Sequence, residues 1–302
     1  MVDITHKKNT LRKATAQAIV KVSDRKTIEA IENNKVPKGN VLEAARIAGL
    51  FAAKRTSDNI PDCHPIPIEF TEIRSTLQEN SILIESEIHT IYKTGVEVEA
   101  MYTVSIAALT MYDMLKPIDK GVYIEQIKLI EKTGGKSERK NFPLGLTAAI
   151  VVCSDSISQG LKEDSAGKVI IEKLEGFQIL IKDYCIIADE RDDILSKVHH
   201  YVEQKISMVI FTGGTGLSSR DITPETLIPL LERRISGVEE TIRAYGQNRT
   251  PYAMLSRSVV GTIQETLIIA LPGSTKGASE SVDAIFPEVM HIFRVMAGKR
   301  HD

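Results

Sequence analysis

The stretch Met208-Val209-Ile210-Phe211-Thr212-Gly213-Gly214-Thr215-Gly216 runs an unbroken apolar segment straight into a glycine-rich turn. A short apolar run without polar alternation fits a strand buried on both faces. Glycines directly after it tolerate positive φ and can expose consecutive backbone amides to an anion. Working outward, the same grammar recurs. Strand Thr147–Cys153, helix Ala166–Leu174, strand Phe177–Ile187 and helix Asp192–Gln204 precede Met208–Phe211, and a further strand follows at Thr266–Ala270. Such alternation predicts a mostly parallel sheet with right-handed crossover helices, because parallel neighbours cannot be joined by a tight hairpin. Ligands in these sheets sit at the carboxyl ends of the strands. The residues found there are Ser154-Asp155-Ser156, Asp189-Glu190, Thr212 to Gly216 and Pro272-Gly273-Ser274, all small, acidic or hydroxylated. Their convergence on one rim predicts a polar ligand pocket. The glycine run is neither a P-loop nor a dinucleotide fingerprint, and taken alone it fits a ligand-free strand-to-helix turn equally well.

Before residue 132 the pattern changes to α+β. A helix is expected over Leu42–Lys54, a proline-broken loop over Pro61–Pro67, and an extended segment carrying Ile82, Ile84, Ile88 and Tyr92. A second helix starts near Thr94 and must stop before Pro117. Between the halves, Lys132 to Leu146 mixes glycine, charge and one proline without periodicity, as an interdomain seam does. The expected domains are residues 1–138 and 147–302, joined by a linker over 139–146. The fold class is then an α+β amino-terminal domain followed by an α/β three-layer domain with a mostly parallel sheet.

Composition mainly excludes. A chain of 302 residues with 38 basic and 40 acidic side chains has no global positive field, and it has no Trp and few aromatics for base stacking. Nucleic acid is not an expected partner. Cys63, Cys153 and Cys185 form neither a disulfide framework nor a thiolate zinc site. The basic start of the chain lacks the apolar core of a secretory signal, and no apolar run approaches the ~18 to 20 residues that span a bilayer. A cytoplasmic protein without a membrane partner is expected.

Several residues carry candidate chemistry, each with a plain structural alternative. Asp113 and Lys116 share one helix face and can form an acid-base pair or an ordinary surface bridge. Thr94-x-x-Glu97 fits a capping box, so Glu97 can serve the helix start, a ligand, or both. Cys63-His64 between Pro61 and Pro65 fits a rigid loop as well as a site. Arg46, Lys54 and Arg55 fit a phosphate-facing or a solvated helix face. Asp189 and Asp221 each stand where they could cap a following helix.

In the second half, Gly213-Gly214-Thr215-Gly216-Leu217-Ser218-Ser219-Arg220-Asp221-Ile222-Thr223-Pro224-Glu225, Ala253-Met254-Leu255-Ser256-Arg257 and Leu271-Pro272-Gly273-Ser274 together resemble the molybdopterin adenylyltransferase family, MogA and MoaB. Leu217 departs from the proline found in many members. The resemblance implies transfer of AMP from MgATP to the terminal phosphate of molybdopterin. It implies that Asp189 and Asp221 act as catalytic magnesium ligands. Ser154, Asp155, Gly213, Gly214, Thr215, Gly216, Ser256, Pro272 and Gly273 would bind substrate. The alternative is a domain that binds molybdopterin without turnover or serves as a trimerising scaffold.

In the first half, Lys38-Gly39-Asn40-Val41, Ala45-Arg46-Ile47-Ala48-Gly49, Ile60-Pro61-Asp62-Cys63-His64-Pro65, Lys93-Thr94-Gly95-Val96-Glu97-Val98-Glu99-Ala100 and Met111-Tyr112-Asp113-Met114-Leu115-Lys116 resemble the MoaC family of cyclic pyranopterin monophosphate synthases. Val98 replaces a familiar methionine. The resemblance implies a ferredoxin-like domain that converts a cyclised dihydro-GTP intermediate to the cyclic pterin monophosphate and releases pyrophosphate. No cofactor is assigned to it. Asp113 and Lys116 would form its catalytic centre, Lys38 a second essential cation, and His64 a substrate-contacting or proton-transferring group. Asp62, Cys63, Glu97, Val98 and Glu99 would bind the precursor. Synthase relatives form hexamers with interface sites and adenylyltransferase relatives form trimers, so a homo-oligomer of either kind is expected, with other cofactor-synthesis enzymes as further partners.

Overall fold

The computed structural model describes residues 1–135 and 143–298, and the chain divides into two compact units at Lys140/Asn141. The expected linker over 139–146 lies partly outside the described residues.

The amino-terminal unit contains β1 (Thr10–Lys21), α1 (Arg25–Glu32), α2 (Val41–Lys54), α3 (Thr56–Asn59), β2 (Phe70–Leu77), β3 (Ser81–Tyr92), α4 (Glu97–Leu115) and β4 (Tyr123–Thr133). Its four strands lie in the order β2-β3-β1-β4 with every neighbouring pair antiparallel. Period-2 burial explains β1: Ala14, Ala16, Ala18 and Val20 face inward beside Ile82, Ile84 and Ile88 of β3. The small side chains let Ala100, Val104, Ala107, Ala108 and Met111 of α4 pack close over the sheet. Gly49 does the same between α2 and its neighbours, since a Cβ there would lie 2.6 Å from Ile73 Cδ1 and 3.4 Å from Thr103.

Two local expectations change. The capping box at Thr94 does not form: Val96 is the N-cap of α4 and makes no side-chain cap bond, while Glu97 accepts from Lys132 Nζ at 2.9 Å. The seam also begins later than Lys132, because Lys132 and Thr133 still pair with Ala14 and Lys13.

The carboxyl-terminal unit contains β5 (Thr147–Cys153), α5 (Asp155–Ser158), α6 (Ala166–Gly176), β6 (Leu180–Ile187), α7 (Arg191–Glu203), β7 (Met208–Thr212), α8 (Thr223–Leu227), β8 (Arg233–Arg234), α9 (Ser236–Gln247), β9 (Val259–Ile263), β10 (Thr266–Leu271), α10 (Thr275–Ile285) and α11 (Ile292–Met296). The sheet order is β6-β5-β7-β10-β9-β8; the first four strands are mutually parallel, and β9 pairs antiparallel with both β10 and β8. β6 starts at Leu180 rather than Phe177 because Gln178, at φ 62, turns the chain out of α6. One core holds Ile150, Ile170, Leu174, Ile269 and Val282 beneath α6 and α10; the other holds Val151, Ile194, Val198, Phe211 and Leu227 beneath α7 and α8. Three layers result. β5 has β6 on one side and β7 on the other, so the connections leave it in opposite directions, opening a crevice at the carboxyl ends of these strands.

Candidate active sites

At the carboxyl end of α4, Asp113 accepts from two ammonium groups: Lys38 Nζ reaches Oδ2 at 2.6 Å and Lys116 Nζ reaches Oδ1 at 2.8 Å. The three side chains are about half exposed. Lys116 first, then Lys38, holds the Asp113 carboxyl down to about 2, and Asp113 in turn raises Lys116. The group is therefore one anion gripping two cations at neutral pH.

The remaining amino-terminal candidates gather at the other end of α4. Asp62, Cys63, His64, Glu97, Val98 and Glu99 line one hollow of about 840 Å³. Glu99 is 3% exposed, and burial raises its carboxyl despite a hydrogen bond from Cys63 Sγ at 3.1 Å. Burial, then the Glu99 contact, pushes the Cys63 thiol up to about 12, so it stays a protonated donor. His64 Nε2 is 2.9 Å from the Val2 carbonyl oxygen. Burial pushes Glu97 upward, but the Lys132 bond and nearby charges outweigh it and leave it lowered. A second hollow of about 300 Å³ shares Glu97 and is walled by Lys7, Arg12, Lys13, Lys93 and Lys132. From Glu97 to Asp113 is 16 residues of continuous helix, or about 24 Å at ~1.5 Å per residue. One chain thus brings the candidates together in two groups, not one.

In the carboxyl-terminal unit, Gly213, Gly214, Thr215, Gly216, Asp221, Ser256, Pro272 and Gly273 line one cavity of about 470 Å³. Gly213 and Gly214 have φ 102 and 61, conformations that favour glycine. A Cβ on Gly214 would collide with Thr223 Oγ1 and come within 2.9 Å of Asp189 Oδ1. Asp189 lies behind the glycine loop. Its Oδ2 accepts from the Asp155 amide at 3.1 Å, and its buried Oδ1 has no hydrogen-bond partner among the described residues. Burial raises the Asp189 carboxyl, with the charges of Asp155 and Asp221 adding to the effect. Asp221 Oδ2 accepts from the Ser218 amide at 2.7 Å. Neither aspartate caps a helix: the N-caps of α7 and α8 are Glu190 and Ile222, without side-chain cap bonds. Ser154 and Asp155 stand beside Asp189 rather than in the cavity wall; Ser154 caps the short α5, accepting from Ile157 N at 3.4 Å.

The MoaC family model matches residues 1–135, and the model described as "Probable molybdopterin binding domain" matches residues 149–291. The molybdenum cofactor biosynthesis bifunctional protein of Chlorobaculum tepidum is 39% identical over 301 residues, covering 100% of this chain and 96% of that protein. The chain belongs to the molybdenum cofactor biosynthesis bifunctional protein family. Its MoaC half is 48% identical over 139 residues to the cyclic pyranopterin monophosphate synthase of Heliobacterium modesticaldum, covering 45% of this chain and 87% of that one. The crystal structure of the molybdopterin biosynthesis enzyme MoaB from Thermus thermophilus covers 52% of this chain and 99% of its own, at 35% identity and TM-score 0.49.

Within both halves the fold adds cationic residues that motif reading left unassigned. In the carboxyl-terminal half, Arg220 clamps Asp155 at 3.0 and 3.1 Å and Glu190 at 2.8 Å. Arg257 donates to the carbonyls of Gly216 and Asp221, both at 2.8 Å, and pairs with Glu225. Both arginines stand inside the quoted motifs, and their position among those acidic, hydroxylated and glycine residues was the available signal. In the MoaC half, Lys7, Lys93 and Lys132 come from three separate segments and share no spacing that sequence could reveal. Among the described residues no cluster of three or more His, Cys, Asp or Glu could hold a metal, and no helix is long and apolar enough to cross a membrane.

Proposed function

We propose that the MoaC half converts a cyclised dihydro-GTP intermediate to cyclic pyranopterin monophosphate and pyrophosphate, and that the other half transfers AMP from MgATP to the terminal phosphate of molybdopterin. The first reading is carried by the Lys38–Asp113–Lys116 group. Asp113 keeps two ammonium groups charged and converged, which suits an anionic phosphate and leaves Lys116 as a proton-bearing group. The cationic hollow beside Glu97 suits the remaining triphosphate charge. Glu99, raised by burial, is the carboxyl of this hollow best suited to hold and exchange a proton. Cys63 acts as its hydrogen-bond donor and not as a nucleophile. The βαββαβ order with all-antiparallel neighbours supports the ferredoxin-like class.

The ~24 Å between the two groups supports an assembly in which Asp113 and Lys116 of one copy complete the Glu97–Glu99 hollow of another. A trimer or hexamer provides such pairs.

The second reading is carried by the unpartnered Asp189 Oδ1 behind the glycine loop. A buried anionic oxygen without a donor fits a hard cation, and magnesium is commonly held by one or two carboxylates together with substrate phosphates. Asp189 and Asp221 would hold it; when bound it neutralises charge on the transferring phosphoryl group. The amides of Gly213 to Gly216 orient phosphate oxygens, Arg257 fixes the loop that carries Asp221, and Arg220 fixes Asp155 against Asp189. A molybdopterin phosphate oxygen attacks the α-phosphorus of ATP, and pyrophosphate leaves.

Purified protein given each substrate set in turn tests both reactions. Pyrophosphate release from the cyclised intermediate, abolished in Lys116→Ala, supports the first; its retention in that variant sinks the assignment. AMP transfer abolished in Asp221→Ala supports the second. Molybdopterin affinity without turnover leaves only a binder, and neither affinity nor turnover leaves a scaffold.

A further inference from the structure

We infer that Glu280 reads the heterocycle in the carboxyl-terminal cavity, pairing with the adjacent N3–H and 2-amino donors of a 2-amino-4-oxopteridine. The inference rests on the molybdopterin reading of this half and names which ring the cavity takes. Glu280, on α10, lines the cavity, and its side chain is 18% exposed. It accepts no hydrogen bond among the described residues, and its ionic neighbour is Lys276, 3.9 Å away and largely solvated. The cavity wall includes Ile242, Leu255 and Pro272, the Tyr252 ring available for stacking, and a further cation, Arg243, which is 4.0 Å from Glu239. The Glu280 carboxylate oxygens, bonded by no protein donor among the described residues, are completed by a ligand that supplies donors.

The other end of the cavity, Gly213 to Gly216 with Asp221, is built for phosphate. At about 470 Å³ the cavity is large enough for a heterocycle with its phosphate. An ionised carboxylate only accepts. The pterin edge offers it two neighbouring donors, whereas the adenine edge sets the N6 donor beside the N1 acceptor and repels one carboxylate oxygen. Glu280 therefore selects the pterin over the adenine of ATP, whose base lies outside this end of the cavity.

The test titrates the full chain, wild type and Glu280→Gln, with pterin (2-amino-4-oxopteridine) and with lumazine (2,4-dioxopteridine), following their intrinsic fluorescence. Any pterin bound by the MoaC half contributes equally to both proteins. Glu280→Gln preserves side-chain volume, and an unchanged melting temperature controls for folding. The expected result is that the variant loses one pterin site per chain, or weakens it roughly tenfold or more, while lumazine, whose N3–H and 2-oxo edge suits an amide at least as well as a carboxylate, binds no more weakly. Superimposable pterin isotherms, or equal loss of both ligands, overturn the inference. AMP transfer from MgATP to molybdopterin, measured in parallel on wild type, separates the two ideas. Transfer with superimposable isotherms sinks Glu280 alone; a Glu280-dependent pterin site without transfer sinks the catalytic reading alone.

Discussion

Asp155 and Asp189 bond one another twice: the Asp155 amide donates to Asp189 Oδ2 and the Asp189 amide donates to Asp155 Oδ1, each at 3.1 Å. This reciprocal pair ties the end of β5 to the end of its parallel neighbour β6. Arg220 then holds Asp155 from outside and is itself kept firmly protonated, chiefly by Asp155 and then by Glu190. The pair engages one Asp189 oxygen, and Oδ1 stays without a hydrogen-bond partner among the described residues.

Asp189→Asn keeps the Oδ2-type acceptor for the Asp155 amide but removes the negative charge that would hold the cation. AMP transfer is expected to fall roughly 10²-fold or more, as for misplaced or missing catalytic contacts. MgATP should raise the melting temperature of wild type and leave the variant's nearly unmoved, since only a ligand that binds the folded state stabilises it. An undiminished MgATP shift in the variant would falsify the assignment of Asp189 to the cation.

Gly214→Ala probes the loop directly. The new methyl meets Thr223 Oγ1 and Asp189 Oδ1, and the residue must hold φ 61, which costs an L-residue about 1 to 2 kcal/mol. Lower stability of the carboxyl-terminal unit and lost AMP transfer should appear together. Chemical denaturation showing no change would mean that the loop relaxes without strain.

What sequence could reveal divides along physical lines. The parallel strands were legible because β5, β7 and β10 are buried on both faces and must be continuously apolar, as Ile150-Val151-Val152 and Leu267-Ile268-Ile269 are. β1 was not, because its inward face is Ala14, Ala16 and Ala18, residues of weak strand preference chosen for the close approach of α4. Asp113 and Lys116 could be paired by helical spacing; Lys38 joins them only through the fold, from 75 positions away. Asp189 was found from its place at a strand end, but its unpartnered oxygen depends on where the Asp155 amide points. The Thr94 capping pattern misled because Lys132, brought in by β4, competes for Glu97.

Glu99 gives a pH-dependent test. Its carboxyl is raised in the folded protein, mainly by burial. The folded state therefore holds its proton to higher pH than the unfolded chain does. The associated stability is complete below the unfolded value near 4.5 and is lost as pH rises through the folded value. Glu99→Gln removes that loss and can still accept from Cys63. At pH 7 the variant should be more stable than wild type yet release pyrophosphate about 10² to 10⁴ times more slowly, the usual contribution of a positioned proton-transfer group. Denaturation midpoints at pH 5 and pH 7 decide the matter. A variant that is less stable than wild type at pH 7 contradicts the burial argument.

Complementation tests the shared site. Lys116→Ala damages the group at the carboxyl end of α4 and Glu99→Gln the hollow at its amino end; from Glu99 to Asp113, the helical member of that group, is 14 residues, or about 21 Å. Each variant alone should be inactive in pyrophosphate release. If one site draws these ends from different copies, dissociating and reassembling the two variants together creates pairs in which one site carries both lesions and the other carries neither. Random mixing of pairs then restores about a quarter of wild-type activity. Activity that stays at the level of the separate variants after verified subunit exchange would place both groups in a site built by one chain. The helix length speaks against that outcome, since α4 is continuous from Glu97 to Leu115 and cannot bring its own ends together.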